Sequence, residues 1–153
     1  MAIILGIAHE RAPGERRLAL TPETCKKLVA AGVQVRVERG AGAGIGVVDD
    51  AFAEAGAQLV DDANAALGEA DVVFCVQPPS AGAIGAMKQG AVLVGTVQPD
   101  ADAARADALR ARGIVAFPLE KLPRTTRAQA MDVLSSQAGM AGYKAVLIAA
   151  QLA

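Results

Sequence analysis

Between Pro123 and Gln137 the chain gathers side chains able to bind an anion or an amide: Arg124, Arg127, Gln129, Asp132, Ser135 and Ser136. Arginine presents forked N–H donors, a carboxamide or hydroxyl both donates and accepts, and a carboxylate can hold the arginine in place. Pro123 breaks the preceding element, and Thr125 or Thr126 predicts the cap of a helix that runs without proline to the C-terminus. On that helix Gln129, Asp132 and Ser136 stand at i, i+3 and i+7 with Ser135 beside them. Met131, Leu134, Ala138, Ala141, Ala145 and Ile148 mark an apolar stripe. Free backbone N–H groups and the positive end of the helix dipole, together with Arg124, make this start a seat for an anion. The plainer alternative is a solvated helix whose arginines face water.

The elements before this stretch must place it. Ile3–Ala8 reads as a buried strand followed by a polar loop, His9–Arg17, at its carboxyl end. Thr21-Pro22-Glu23 predicts a capped helix to Ala31, stopped by Gly32, and Val33–Val37 alternates as a strand. Asp49 or Asp50 predicts the cap of a short helix through Ala55, then a short strand at Ala57–Val60 and a further cap at Asp61 or Asp62. Val72–Val76 is a continuous apolar run broken by Pro78-Pro79, which predicts a central strand, with a short helix around Ile84–Met87 after it. Ala91–Gly95, a helix over Ala101–Arg112 and a last strand at Ile114–Phe117 complete the alternation.

Strands alternating with helices predict an α/β fold, doubly wound, with a mainly parallel sheet and helices on both faces, flavodoxin-like or Rossmann-like. Ligands of such sheets bind beyond the carboxyl ends of the strands, the rim on which Gln77, Gln98 and Arg124 are expected together. Gly40–Gly46 is glycine-rich, but no register yields Gly-x-Gly-x-x-Gly, because Ile45 or Val47 falls at the last position. A flexible turn is the expectation there.

Composition narrows the function classes. The chain has 153 residues, the size of one domain, and 53% of them are hydrophobic but only 3% aromatic, as in small side chains packing helices onto a sheet. A net charge of −1 gives no basic footprint for nucleic acid or a membrane surface. Ala2–Ala8 is too short for a signal core or a membrane span, so a cytoplasmic location without direct membrane insertion is expected. Cys25 and Cys75 read as buried small hydrophobes in a reducing compartment, and His9, the single histidine, as a polar surface residue.

Several motifs carry a resemblance. Glu15-Arg16-Arg17-Leu18-Ala19-Leu20-Thr21-Pro22-Glu23, Val37–Gly42, Met87-Lys88-Gln89-Gly90, and above all Pro123–Gln137 with Ala141–Val146 resemble the N-terminal domain of the alanine dehydrogenase and pyridine nucleotide transhydrogenase family. The match spans essentially all of residues 1–153. Its most specific motif is more similar to the NAD(H)-binding alpha subunit of the proton-translocating transhydrogenase than to alanine dehydrogenase. The resemblance implies NAD as cofactor and contacts to its nicotinamide end from Arg124, Gln129, Asp132 and Ser135, with no catalytic acid or base. It implies partners too: a membrane-spanning component, an NADP(H)-binding component and a second copy in a full-length homodimer, peripheral to the inner membrane.

Gln77 and Gln98 stand where alanine dehydrogenases of this family carry a catalytic lysine and histidine, and Arg17 matches their carboxylate-gripping position. Amino acid oxidation thus lacks its acid and base, and Arg17 is left with a structural role as an alternative. The family's second, Rossmann-type domain has no counterpart here, so the helix from about residue 125 is expected to lead into it. Two other readings stand beside this one: a fragment of an alanine dehydrogenase-like enzyme, and a noncatalytic flavodoxin-like module such as a receiver, for which the strand ends supply only Glu10 and Lys121.

Overall fold

The computed structural model describes residues 2–152. Six strands form one sheet: β1 (Ile4–Ile7), β2 (Gln34–Glu38), β3 (Gln58–Val60), β4 (Val72–Cys75), β5 (Val92–Gly95) and β6 (Val115–Pro118). Every pairing is parallel and the order is β3-β2-β1-β4-β5-β6. That order, with the chain reversing direction between β1 and β4, is Rossmann-like rather than flavodoxin-like. β4 lies inside the sheet between β1 and β5, as its unbroken apolar run required.

The connections are α1 (Pro22–Ala30), α2 (Asp49–Glu54), α3 (Ala63–Leu67), α4 (Ala81–Ala86) and α5 (Ala103–Ala111), and α6 (Val133–Leu152) ends the chain. Local chemistry sets their starts. The Thr21 hydroxyl accepts from the Thr24 N–H, Asp62 from Ala65, Ser80 from Ala83, and Asp102 from Ala104 and Arg105. Two expectations shift. Neither Asp49 nor Asp50 caps α2; its cap is Val48, and the Asp49 carboxylate instead accepts the Gly40 N–H at 2.8 Å. The short helix expected around Ile84 begins at Ala81, because Ser80 after two prolines supplies the cap.

Strand alternation divides the core. Leu5, Ile7, Val35 and Val37 pack with Cys25 of α1 and Phe52 of α2 on one face. On the other, Val73 and Leu93 meet Ala66 and Leu67 of α3, Ile84 of α4 and Leu109 of α5. Coverage of the first face stops short of the β6 edge, where Val115 and Phe117 are more than half exposed. The glycine-rich segment is a packed element rather than a flexible turn. It contains a 3-10 turn at Ala43–Ile45, and a Cβ on Gly44 would lie 2.4 Å from the Arg16 carbonyl oxygen.

The end of the chain departs most from expectation. Thr126–Met131 winds as a 3-10 helix whose flanking Thr125 makes no side-chain cap. The backbone then opens at Asp132 (φ −76°, ψ 93°), and α6 starts only at Val133. Gln129 and Asp132 are therefore not on one α-helix with Ser136. The anticipated stripe is not buried either: no residue of α6 is, and Leu134, Met140, Tyr143 and Val146 all stand exposed.

Candidate functional site

The loops after β4, β5 and β6 share the carboxyl rim, and two neighbouring cavities open there, with a third of about 400 Å³ beside the β1 and β4 loops lined by His9, Glu10, Arg11, Gln77 and Arg105. A cavity of about 770 Å³ is lined by Arg17, Gln77, Thr96, Gln98 and Gln137 among apolar side chains that include Phe74, Val94 and Val133. A second, about 480 Å³, is lined by Arg124, Gln129, Asp132 and Ser135 with Leu122, Pro123 and Ala128. Leu119 and Leu134 border both. The four expected binding residues thus meet around one cavity, beside the one holding Gln77 and Gln98.

Asp132 does not hold Arg124. Its Oδ1 accepts the Leu134 and Ser135 N–H groups at 3.0 and 3.1 Å, and its Oδ2 accepts the Ser135 hydroxyl at 2.5 Å. The physical reason is proximity: the first N–H groups of α6 lie within reach of a short carboxylate at the cap, and nothing in the helix can satisfy them. The Ser135 hydroxyl, then the backbone donors, hold this carboxyl below its ordinary range. The Ser135 hydroxyl proton is consequently committed, and its oxygen retains acceptor capacity only. Among the described residues Arg124 makes no ion pair, so its donors remain open to the cavity.

Arg17 is engaged. Its Nε and Nη2 fork onto Glu15 at 2.8 and 2.7 Å, and its Nη1 donates to Oε1 of Gln137 in α6 at 2.8 Å. Gln77 completes the cluster by donating from its amide to Glu15 at 2.6 Å. The Glu15 side chain is 7% exposed, and the Arg17 guanidinium holds its carboxyl well below the usual carboxylate range.

Three further glutamates have a role the sequence did not reveal, each stitching adjacent strand ends. Glu38, the last residue of β2 and only 5% exposed, accepts the His9 N–H after β1 at 2.8 Å and pairs with Arg11. Glu10, after β1, accepts Val76 and Gln77 N–H groups after β4 at 2.5 and 3.2 Å. Glu120, after β6, accepts the Val97 and Gln98 N–H groups after β5, Gln98 at 2.6 Å. Burial pushes the Glu10 carboxyl up. Gln98 sits in the left-handed region (φ 45°), unusual for a residue with a side chain, and the Glu120 contact secures that conformation. The available signal was position: each glutamate ends or closely follows a strand.

These stitches matter for ligand chemistry, because a Rossmann-like rim binds phosphate through free backbone N–H groups, and here carboxylates occupy those of His9, Val76, Gln77, Val97 and Gln98. Other chemistries find little support. His9 is exposed and lies by its backbone against Glu38. Cys25 and Cys75 are unpaired, and burial pushes the Cys75 thiol up to about 12, which leaves it without nucleophilic character. Among the described residues no cluster of three metal-ligating side chains occurs, and no helix is long and apolar enough to cross a membrane.

The chain is similar in sequence and fold to known proteins. The first portion of the NAD(P) transhydrogenase alpha subunit of Rhodospirillum rubrum is 44% identical over 148 residues, which cover 94% of this chain and 38% of that protein. The crystal structure of transhydrogenase from Sinorhizobium meliloti superposes with a TM-score of 0.90 at 42% identity, covering 97% of this chain and 44% of that one. An L-alanine dehydrogenase structure is farther, with a TM-score of 0.74 at 29% identity over 79% of this chain and 34% of that one. The chain thus spans roughly a third to under half of the length of these relatives. The family model described as "Alanine dehydrogenase/PNT, N-terminal domain" matches residues 6–141, and the chain belongs to the alanine dehydrogenase and pyridine nucleotide transhydrogenase family.

Proposed function

We propose that this chain is the N-terminal domain of the NAD(H)-binding alpha subunit of a proton-translocating NAD(P) transhydrogenase, forming one wall of the site where hydride passes between NAD(H) and NADP(H). The observation that carries this reading is the chemistry of the larger rim cavity. The polar side chains it draws from the β4 and β5 loops are neutral, Gln77, Thr96 and Gln98, and its arginine is paired with Glu15. Oxidising an amino acid requires a proton acceptor there. Hydride transfer between two nicotinamides requires none, because the cofactors supply the hydride chemistry and the protein positions them.

The donor set of the smaller cavity fits the nicotinamide end of NAD. Gln129 can both donate to and accept from a carboxamide, and Ser135, its proton committed to Asp132, can accept from an amide N–H. Arg124, without an ion pair among the described residues, can face ribose or pyrophosphate oxygens. Asp132 acts indirectly, fixing the start of α6 and orienting Ser135. The adenosine half falls to a second, Rossmann-type unit of the same subunit, since no glycine fingerprint opens a helix here and the rim N–H groups are engaged by Glu10, Glu38 and Glu120.

Partners in this reading are the membrane-spanning and NADP(H)-binding components and a second copy of the subunit. The domain itself stays in the cytoplasm at the inner membrane. NADH fluorescence titration tests the reading. The chain alone should bind with a dissociation constant on the order of a millimolar, only about 4 kcal/mol, whereas the subunit extended by its second unit should bind far tighter. Low-micromolar binding by the chain alone would refute the half-site.

A further inference from the structure

Arg17 is the residue the proposed function leaves without a task, yet it makes the longest-range side-chain hydrogen bond at the rim. Its Nη1 reaches Gln137, 120 positions along the chain. α6 buries none of its residues against the sheet. Among the described residues, the Arg17–Gln137 bond is also the side-chain hydrogen bond that ties α6 to anything before Asp132. On the other side Arg17 is anchored by the Glu15 fork, and Glu15 by Gln77 at the end of β4.

We propose that Arg17 is a positioning residue: with Glu15 and Gln77 it braces the first turns of α6 through Gln137, and so sets where Asp132 and Ser135 stand relative to the rim. The proposal rests on the reading that the start of α6 faces the nicotinamide. It gives Gln77 a purpose of its own. A carboxamide donates to Glu15 without bringing charge, so the carboxylate stays matched to Arg17. A lysine at the same position would place an ammonium on Glu15 and compete with the guanidinium for it. Three of the five N–H donors of Arg17 are thereby engaged within the chain.

The test needs two readouts. Amide hydrogen exchange in the chain reads the brace itself. Arg17→Ala and Gln137→Ala should each accelerate exchange at residues 134–140 while leaving β1 and β4 unchanged, Gln137→Glu should keep the parent's protection because a carboxylate still accepts from Arg17, and the double alanine variant should be no worse than either single one. In the transhydrogenase subunit carrying this domain, assembled with its partners, Arg17→Ala should raise KM for NADH about threefold to tenfold, a modest effect because the guanidinium is partly solvated. Gln137→Glu should restore the parent's KM. Unchanged exchange in the alanine variants overturns the brace, whatever happens to KM. Faster exchange with an unchanged KM overturns the positioning role alone; Gln129→Ala, which leaves the Arg17–Gln137 bond intact, reads the nicotinamide placement, and an unchanged KM in that variant overturns the placement instead.

Discussion

Gly95 closes β5 against β4 at the rim, and replacing it with alanine should separate the two strand ends that carry Gln77 and Gln98. Gly95 pairs with Cys75 in register, at φ +150°, a conformation that L side chains rarely adopt. An added Cβ would lie 2.0 Å from the Cys75 carbonyl oxygen and 2.6 Å from its sulfur. The first of these is backbone and cannot swing aside. Backbone strain of about 1–3 kcal/mol and overpacking of about 1–3 kcal/mol combine to about 4 kcal/mol. For a chain of this size that corresponds to a fall in Tm of roughly 8–16 °C. Gly14→Ala is the control, since Gly14 has φ +77° but nothing within 4 Å of a Cβ. Only strain of about 1–2 kcal/mol applies there, a fall of roughly 2–8 °C. Thermal unfolding followed by far-UV circular dichroism separates the two. Gly95→Ala melting at or above Gly14→Ala would refute the close strand contact.

Other consequences are equally concrete. Glu15 has a folded pKa depressed below its ordinary 4.5, so its stabilisation is present above that value and is lost as pH falls through the depressed one. Glu15→Gln should therefore cost about 1–2 kcal/mol at neutral pH, and the gap to the parent should narrow at pH 3 in urea unfolding; a gap independent of pH would contradict the ion pair. Cys75 should react with a thiol reagent at pH 8 at least roughly a hundredfold more slowly in the native chain than in the unfolded one, because its thiolate is suppressed. Asp132→Asn keeps a capping side chain and should retain the α6 helix signal, whereas Asp132→Ala should fray its first turn. Equal helix content in both variants would remove the cap assignment.

Most of the fold was legible because its signals are local. Apolar runs such as Val72–Cys75, caps such as Thr21 and Asp62, and the strand-helix alternation each follow from residue type and period. The rim placement of Gln77, Gln98 and Arg124 then followed from parallel topology. The rest depended on contacts no window reveals. Asp132 looked like a helix-face residue at the right spacing, but a carboxylate beside unsatisfied N–H groups caps instead and divides the segment. The Arg17–Gln137 bond links residues 120 apart, and the glutamate stitches cross from one strand end to the next. The stripe on α6 shows apolar character without a surface to bury it, which periodicity alone does not distinguish from core.

In the proposed function, the start of α6 is the region of this domain that meets the nicotinamide end of NAD(H). Amide chemical shifts of the isotopically labelled chain, titrated with NADH into the millimolar range, test it residue by residue. Fast-exchange shifts should concentrate at Arg124, Gln129, Asp132 and Ser135 and their neighbours, saturating on the order of a millimolar, with the loop at His9–Ala12 unaffected because Glu38 and Glu10 already hold the rim there. Shifts centred on that loop, or none at residues 124–135 at saturation, would contradict it.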